Sequence, residues 1–248
     1  MDTQSLILVG IAFAIGGVLK GATGAGAPLL AVPLLAMLFD VKFAVAVFLL
    51  PNLIPNLWQA WHFRKVDVPR SFVLKFAVLG GVGAVFGTYA LASFPSDVLI
   101  AGIAGILLLY ISFRLLNSGW KLQMNIAEKL SAPMGLVAGL FQGGTGLSAP
   151  VSISFLNALQ LERPQFIFTI STFFFSVGLV QLPLQIAFGI MTWDRLALSA
   201  LALIPLLAAM PVGMALGRVM SRKAFDRLLL IILAGLAMRM LYATAVAL

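Results

Sequence analysis

Cysteine is absent from the 248 residues, and only one histidine, His62, is present. The first absence removes disulfides, iron–sulfur clusters and thiolate metal sites, and the second leaves no His-based metal centre to assemble. No cofactor is expected. Charge is scarce as well: Asp, Glu, Lys and Arg make up 10% of the chain, against roughly 25% in soluble domains. Hydrophobic residues make up 62%, and mean hydropathy is +1.09. A bilayer span takes about 20 apolar residues, and apolar runs fill nearly the whole sequence, which leaves no room for a soluble domain or a long linker. The acidic residues Asp2, Asp40, Asp67, Asp97, Glu128, Glu162, Asp194 and Asp226 all fall near loops. No catalytic pair can be assembled at membrane depth, so an enzyme is not expected. The formal net charge of +8 does not argue for nucleic acid, because the basic residues sit in short loops where the positive-inside rule already explains them. The first apolar stretch, from Ser5, lacks the basic n-region of a secretory signal and reads as mature protein.

The chain contains an internal repeat. Gly21-Ala22-Thr23-Gly24-Ala25-Gly26-Ala27-Pro28 returns as Gly143-Gly144-Thr145-Gly146-Leu147-Ser148-Ala149-Pro150. The same register pairs Lys20 with Gln142 and Gln59 with Gln181; after a shift of several residues, Gly83 and Gly87 pair with Gly213 and Gly217. Gly, Ala and Leu are common enough here for weak matches to arise by chance, but an octapeptide with its Thr in register indicates duplication. The halves are 1–122 and 123–248.

Apolar segments lie at about 5–20, 25–39, 42–62, 72–93 and 97–115 in the first half. In the second they lie at about 132–142, 149–159, 164–187, 196–217 and 227–247. The pairs flanking each Gly-rich break are short against a hydrocarbon core of about 30 Å. Each pair therefore reads as a hairpin that returns to its own side, or as two short tilted spans. Three full spans per half then give odd parity, so the halves are inverted. With Arg64, Lys65 and Arg70 in the cytoplasm, the same side receives Arg114, Lys121, Lys129, Arg163, Arg218, Arg222, Lys223 and Arg227, and the other side only Lys42 and Arg195. The expected fold is an all-α integral membrane protein of two inverted repeats, each a Gly-broken short helical hairpin plus three transmembrane helices, about 8–10 helical segments in all.

The phrase from Gly17 through Gly21, Gly24 and Gly26 to Pro28, with its echo from Gly139 to Pro150, resembles the sulfite exporter TauE/SafE family of prokaryotic permeases. Ala27 stands where that family commonly has a further Gly, and Ser148 replaces a Gly in the second copy. The resemblance implies a multi-pass inner-membrane permease for a small sulfur-containing anion: sulfite, a sulfonate such as sulfoacetate, or a related organosulfur acid. It implies no enzymatic activity. The partners expected are that anion and the lipid bilayer; a homodimer is left open.

The chemistry of the breaks suits an anion. A helix interrupted inside the membrane frees backbone N–H groups, tolerated only where protein or a water-filled cavity satisfies them. The N-terminus of the following half-helix carries about half a positive charge, and two inverted copies would bring two such ends towards the midplane. Gly24, Gly26 and Gly146 provide the break, Thr23, Thr145 and Ser148 offer hydroxyls, and Pro28 and Pro150 suit an early helical position. Lys20 lies deep in an apolar segment at a cost of at least about 2.5 kcal/mol; it faces a cavity or partner unless it snorkels to an interface. Gln142 replaces it in the second copy. Asn52, Gln59, Thr172 and Gln181 are candidate lining residues, with interhelical hydrogen bonding as the plainer role; Asn56 and Ser171 share their helices. Gly17, Gly83, Gly87, Gly213 and Gly217 read as helix-packing positions, His62 as an interfacial anchor, and Trp58, Trp61, Trp120 and Trp193 as an aromatic belt. Arg239, between Met238 and Met240, has no evident partner. The expected function is alternating-access transport, and the alternative is an anion or small-solute channel of the same architecture.

Overall fold

A computed structural model of the chain describes residues 2–116, 119–219, 230–240 and 242. All regular structure in them is helical: α1 (Thr3–Thr23), α2 (Ala27–Leu38), α3 (Val41–His62), α4 (Arg70–Ser93), α5 (Ser96–Leu116), α6 (Met124–Thr145), α7 (Ser152–Ala158), α8 (Arg163–Ala187), α9 (Trp193–Val219) and α10 (Leu230–Met240). Six of these, α1, α3, α4, α5, α8 and α9, are long and apolar enough to cross a membrane. Arg222, Lys223, Asp226, Arg227 and the side chain of Arg218 lie outside the described residues, as does most of the 227–247 segment beyond α10.

The helix starts follow from local chemistry. Asp2 and Asp40 accept the Ser5 and Phe43 amides at 3.0 and 2.8 Å, side-chain caps for donors that the first turn leaves unpaired. Glu162 and Gln165 form a capping box at the start of α8. Both breaks end their first helix in the same way: Gly24 (φ 85°) and Gly146 (φ 74°) take the left-handed conformation, and their amides reach Lys20 O and Gln142 O at 2.7 and 2.8 Å. A side chain is strained there, so glycine is the residue for the turn.

The hairpins differ from the expected pairs of short helices. Helices α1 and α6 have 21 and 22 residues, about 31–33 Å at about 1.5 Å per residue, and only α2 and α7, with 12 and 7, are short. Helix α6 starts eight residues before the apolar run because its first turns are amphipathic. Asn125, Glu128 and Lys129 face outwards, while Ala127, Ser131 and Gly135 continue the buried stripe. Pro28 occupies the first turn of α2 as expected, but Pro150 lies in a turn ahead of α7.

Packing is set by small residues, as befits helices that gain no hydrophobic drive from lipid. Helix α1 lies along α9, where a Cβ on Gly17 or Gly21 would overlap the Leu206 or Met210 carbonyl oxygen. Helix α6 lies along α4 in the same manner, with Gly135 and Gly139 on Phe76 and Gly80. Residue numbers rise together in both pairs, so each pair runs parallel. Helices α3 and α8 cross at the centre in opposite senses: Gly178 packs on Leu53, and Ser171 bonds Gln59. Beside them Phe72, Phe76, Phe155, Phe173 and Phe174 stack into one aromatic cluster.

The two ends of the bundle are unlike in charge. At one end Lys42 donates to Ala92 O (3.0 Å), and Arg195 donates to Ile190 O (2.7 Å) and lies 5.8 Å from the Phe43 ring centre. At the other, Arg70 bonds Arg64 O, and Gln165 reaches Asp67 O at 2.6 Å. This second end also carries Lys65 and Arg163.

Candidate functional site

Where α3 ends and α8 begins, α1 and α9 stand apart from them around a cavity of about 820 Å³. Its polar lining is Lys20, Gln59, His62 and Arg163; Trp58, Met210 and Met214 are among its apolar walls. Lys20 is 2% exposed and is the one charged side chain among the buried residues described. Helix α1 places it there because Gly17 and Gly21, on either side, press against α9 and turn the remaining face towards α3.

A chain of amides holds the ammonium. Lys20 Nζ donates to Asn56 Oδ1 at 2.8 Å; Asn56 Nδ2 donates to Asn52 O and Oδ1 at 2.6 and 3.0 Å; Asn52 Nδ2 reaches Phe174 O at 3.4 Å. Each amide is thereby oriented with its oxygen towards the positive end. Every member is neutral apart from Lys20, so the network positions the charge without cancelling it. Gln59, one turn along α3, lines the cavity and accepts from Ser171 Oγ at 3.1 Å. At the rim, Arg163 donates to Gly21 O at 3.3 Å, and His62 stacks on Trp58 with ring centres 5.0 Å apart.

The second break has no cation. Gln142 Nε2 donates to Gly146 O at 2.9 Å, and Gln181 Nε2 reaches Gly143 O at 3.4 Å. Both side chains are buried.

The predicted hydroxyls are used locally. Thr23 Oγ1 donates to Leu19 O and accepts the Gly26 and Ala25 amides at 2.8 and 3.3 Å. Thr145 Oγ1 donates to Phe141 O and accepts the Leu147 amide at 3.3 Å. Ser148 Oγ pairs with Ser152 Oγ at 2.9 Å, and Thr172 Oγ1 returns to Phe168 O in its own helix. These groups cap and brace the breaks, and the Ala25 and Gly26 amides at the first break already hold Thr23. Lys20, Gly24 and Gln59 share the cavity, with Asn52 behind them; Gln142, Gly146 and Gln181 gather at the other break, and Thr172 joins neither group.

Three residues were not foreseen at the site. Asn56 bonds the lysine directly, and its i, i+4 spacing from Asn52 is visible in the sequence. His62, exposed at the end of α3, lines the cavity beside Trp58 as well as standing where an interfacial anchor is expected. Arg163 follows an exposed Glu162 and precedes Pro164, a loop pattern that carries no sign of the cavity. Arg239 stands exposed on α10.

A multi-pass bundle with a polar cavity built on a glycine-broken helix has the layout of a membrane transporter. The model of the sulfite exporter TauE/SafE family matches residues 8–240, nearly the whole chain, and the protein belongs to that family. Comparison with curated proteins and with solved structures gives no match.

Proposed function

We propose that the protein is a permease for a small sulfur-containing anion, sulfite or a sulfonate such as sulfoacetate. It lies in a prokaryotic inner membrane with its basic loops cytoplasmic, and it works by alternating access between two inverted halves, 1–122 and 123–248. The observation that carries the reading is Lys20, a buried ammonium at the cavity wall whose protein partner is a neutral amide. One of its three protons is taken by Asn56, and the other two have no hydrogen-bond partner among the described residues. An oxyanion supplies both the missing acceptors and the missing charge. Gln59 offers a further donor, and Arg163 and the basic loops draw an anion towards the mouth.

Reciprocal contacts support the inverted halves. Gly17 lies on Leu206 as Gly139 lies on Gly80, Gly21 on Met210 as Gly143 on Ala84, and Gly213 on Val18 as Gly87 on Leu140. Gly24 meets Ile167 as Gly146 meets Val45. These contacts keep the register that pairs Lys20 with Gln142 and match Gly87 to Gly213, where glycine spacing alone suggests Gly217. Exchange of like contacts, with the equivalent helices α3 and α8 antiparallel, is the outcome of a two-fold axis lying in the membrane plane.

The test is flux in proteoliposomes. Labelled sulfite, sulfoacetate and a taurine-like sulfonate are offered, and uptake of at least one is expected to saturate and to rise several-fold with unlabelled substrate on the trans side. Flux that grows linearly with concentration and ignores the trans side would make the protein a channel. No flux with any of the three would remove the sulfur-anion assignment.

A further inference from the structure

The cavity beside Lys20 has a counterpart. The octapeptide register carries Lys20, Gln59 and Phe63, which line the cavity, to Gln142, Gln181 and Gln185. The register that matches Gly213 to Gly87 carries Met214, also in the lining, to Thr88. Among the described residues, the buried side-chain atoms that make no hydrogen bond are Thr88 Oγ1, Gln142 Oε1 and both Nε2 and Oε1 of Gln185. All of them therefore belong to counterparts of cavity residues. Gln185 and Thr88 are 0% exposed, and Gln181 makes only a 3.4 Å contact to Gly143 O. An unpaired buried polar group is destabilising, so packing alone does not favour glutamine and threonine at these positions.

The walls differ between the copies in the complementary way. Ile54, Trp58 and Leu207 border the open cavity, whereas their counterparts Ser176, Val180 and Gly81 are in contact. A Cβ on Gly81 would stand 3.0 Å from Ser176 Oγ and 3.4 Å from Val180 Cγ2. One copy is parted and the other shut.

Building on the alternating-access reading above, we infer that Thr88, Gln142, Gln181 and Gln185 line a second half-pathway, closed in this structure, which opens to the outer face when the Lys20 cavity closes. Its wall is uncharged: amide N–H and hydroxyl donors satisfied by water or by the oxygens of a passing anion, and amide oxygens satisfied by water. The asymmetry suits release, because an anion leaving Lys20 meets donors without a fixed positive charge to retain it.

The cysteine-free chain allows a direct test. Thr88→Cys and, separately, Gln185→Cys are placed in a background carrying Ile54→Cys and Leu207→Cys, and a membrane-impermeant maleimide is applied from outside to intact cells. Oxidation is expected to join positions 54 and 207 across the Lys20 cavity, after which the remaining free thiol at position 88 or 185 reacts at least five-fold faster than it does in protein without the cross-link. Failure of the cross-link to form, or formation with no rise at either reporter position, would overturn the inference. The two reporters are read independently, so the loss of one variant to misfolding leaves the other decisive. The labelling uses no substrate and is thus separable from the flux assay: flux without outer labelling removes this half-pathway alone, and labelling without flux of sulfur anions removes the substrate assignment alone.

Discussion

Lys20 and Asn56 are a charge and a dipole that stand 2.8 Å apart with no carboxylate between them. Replacing the dipole by a charge is the sharpest change available at this site. Asn56→Asp keeps the size and the acceptor oxygen, so the bond to Lys20 should persist; it gives up the two bonds from Asn56 Nδ2 to Asn52, about 1 kcal/mol each, but it installs the counter-ion that the proposed substrate supplies. Two unit charges about 4 Å apart interact by about 4 kcal/mol at an effective dielectric near 20. Asn56→Asp is therefore expected to melt at or above the temperature of the parent protein, while the thermal shift produced by sulfite or sulfoacetate weakens at least ten-fold in apparent affinity. An undiminished ligand shift would show that the anion does not sit against Lys20. Much of this site could be read from residue types: a lysine in an apolar run and amides at i, i+4 spacing are visible without coordinates. The partition of labour was not visible. Thr23 and Thr145 look like ligand donors in the sequence, yet their hydroxyls return to Leu19 O and Phe141 O and cap the amides just beyond. A threonine next to a helix end meets its own backbone before any ligand, by simple proximity. Arg163 escaped notice because its approach to Gly21 is a tertiary contact between helices far apart in sequence.

At the scale of elements, the bundle rests on two helix pairs, α1 with α9 and α4 with α6, whose backbones touch through glycine. Gly83 and Gly213 each leave no room for a methyl group: a Cβ would overlap Leu136 O or Val18 O, backbone atoms that cannot turn aside. Gly105 on α5 has nothing within 4 Å of its Cβ position. Gly83→Ala and Gly213→Ala are expected to lower stability by about 1–3 kcal/mol through overpacking, seen as a lower melting temperature in detergent. Gly105→Ala should match the parent or exceed it slightly, since alanine favours a helix over glycine by about 1 kcal/mol. Equal melting temperatures for all three would refute the backbone contact. The order and limits of the helices were largely legible, because apolar runs broken by Gly, Pro and charge report their own ends. The start of α6 was not, since its first turns bury Ala127 and Ser131 while showing Glu128 and Lys129 outwards, and mean hydropathy averages that stripe away. The match of Gly87 to Gly213 also needed coordinates: two glycines four apart in each helix align equally well in either register, and only their contacts choose between the two.

At the scale of the whole molecule, direction follows from how the hairpins enter. Helix α2, with 12 residues, extends about 18 Å at about 1.5 Å per residue, too short for a hydrocarbon core of about 30 Å. Helix α2 runs back along α1, with Ala27 and Ala31 against Gly16, so the hairpin begins and ends on one side, and α3 then runs to the end that holds Arg64, Lys65, Arg70 and Arg163. Parallel packing of α1 with α9 and of α6 with α4 agrees with that count, because three crossings in the first half leave α6 starting from the face opposite to α1. Each basic residue near an anionic leaflet contributes about 1 kcal/mol, so an end bearing those four side chains, against Lys42 and Arg195 at the other, favours one orientation by several such increments. In the proposed orientation the Lys20 cavity, bordered by His62 and Arg163, opens to the cytoplasm. Single cysteines decide the matter in intact cells. Lys65→Cys is expected to resist a membrane-impermeant maleimide until the cells are permeabilised, whereas Asp97→Cys, exposed in the first turn of α5, should react at once. Reversed labelling would turn the molecule over and place the Lys20 cavity outside; reaction of both or of neither in intact cells would break the crossing count itself. Under the proposed alternating access, Lys65 inside would make an anion bound at Lys20 one taken from the cytoplasm, and the next movement of the two halves would carry it outwards past Thr88 and Gln185.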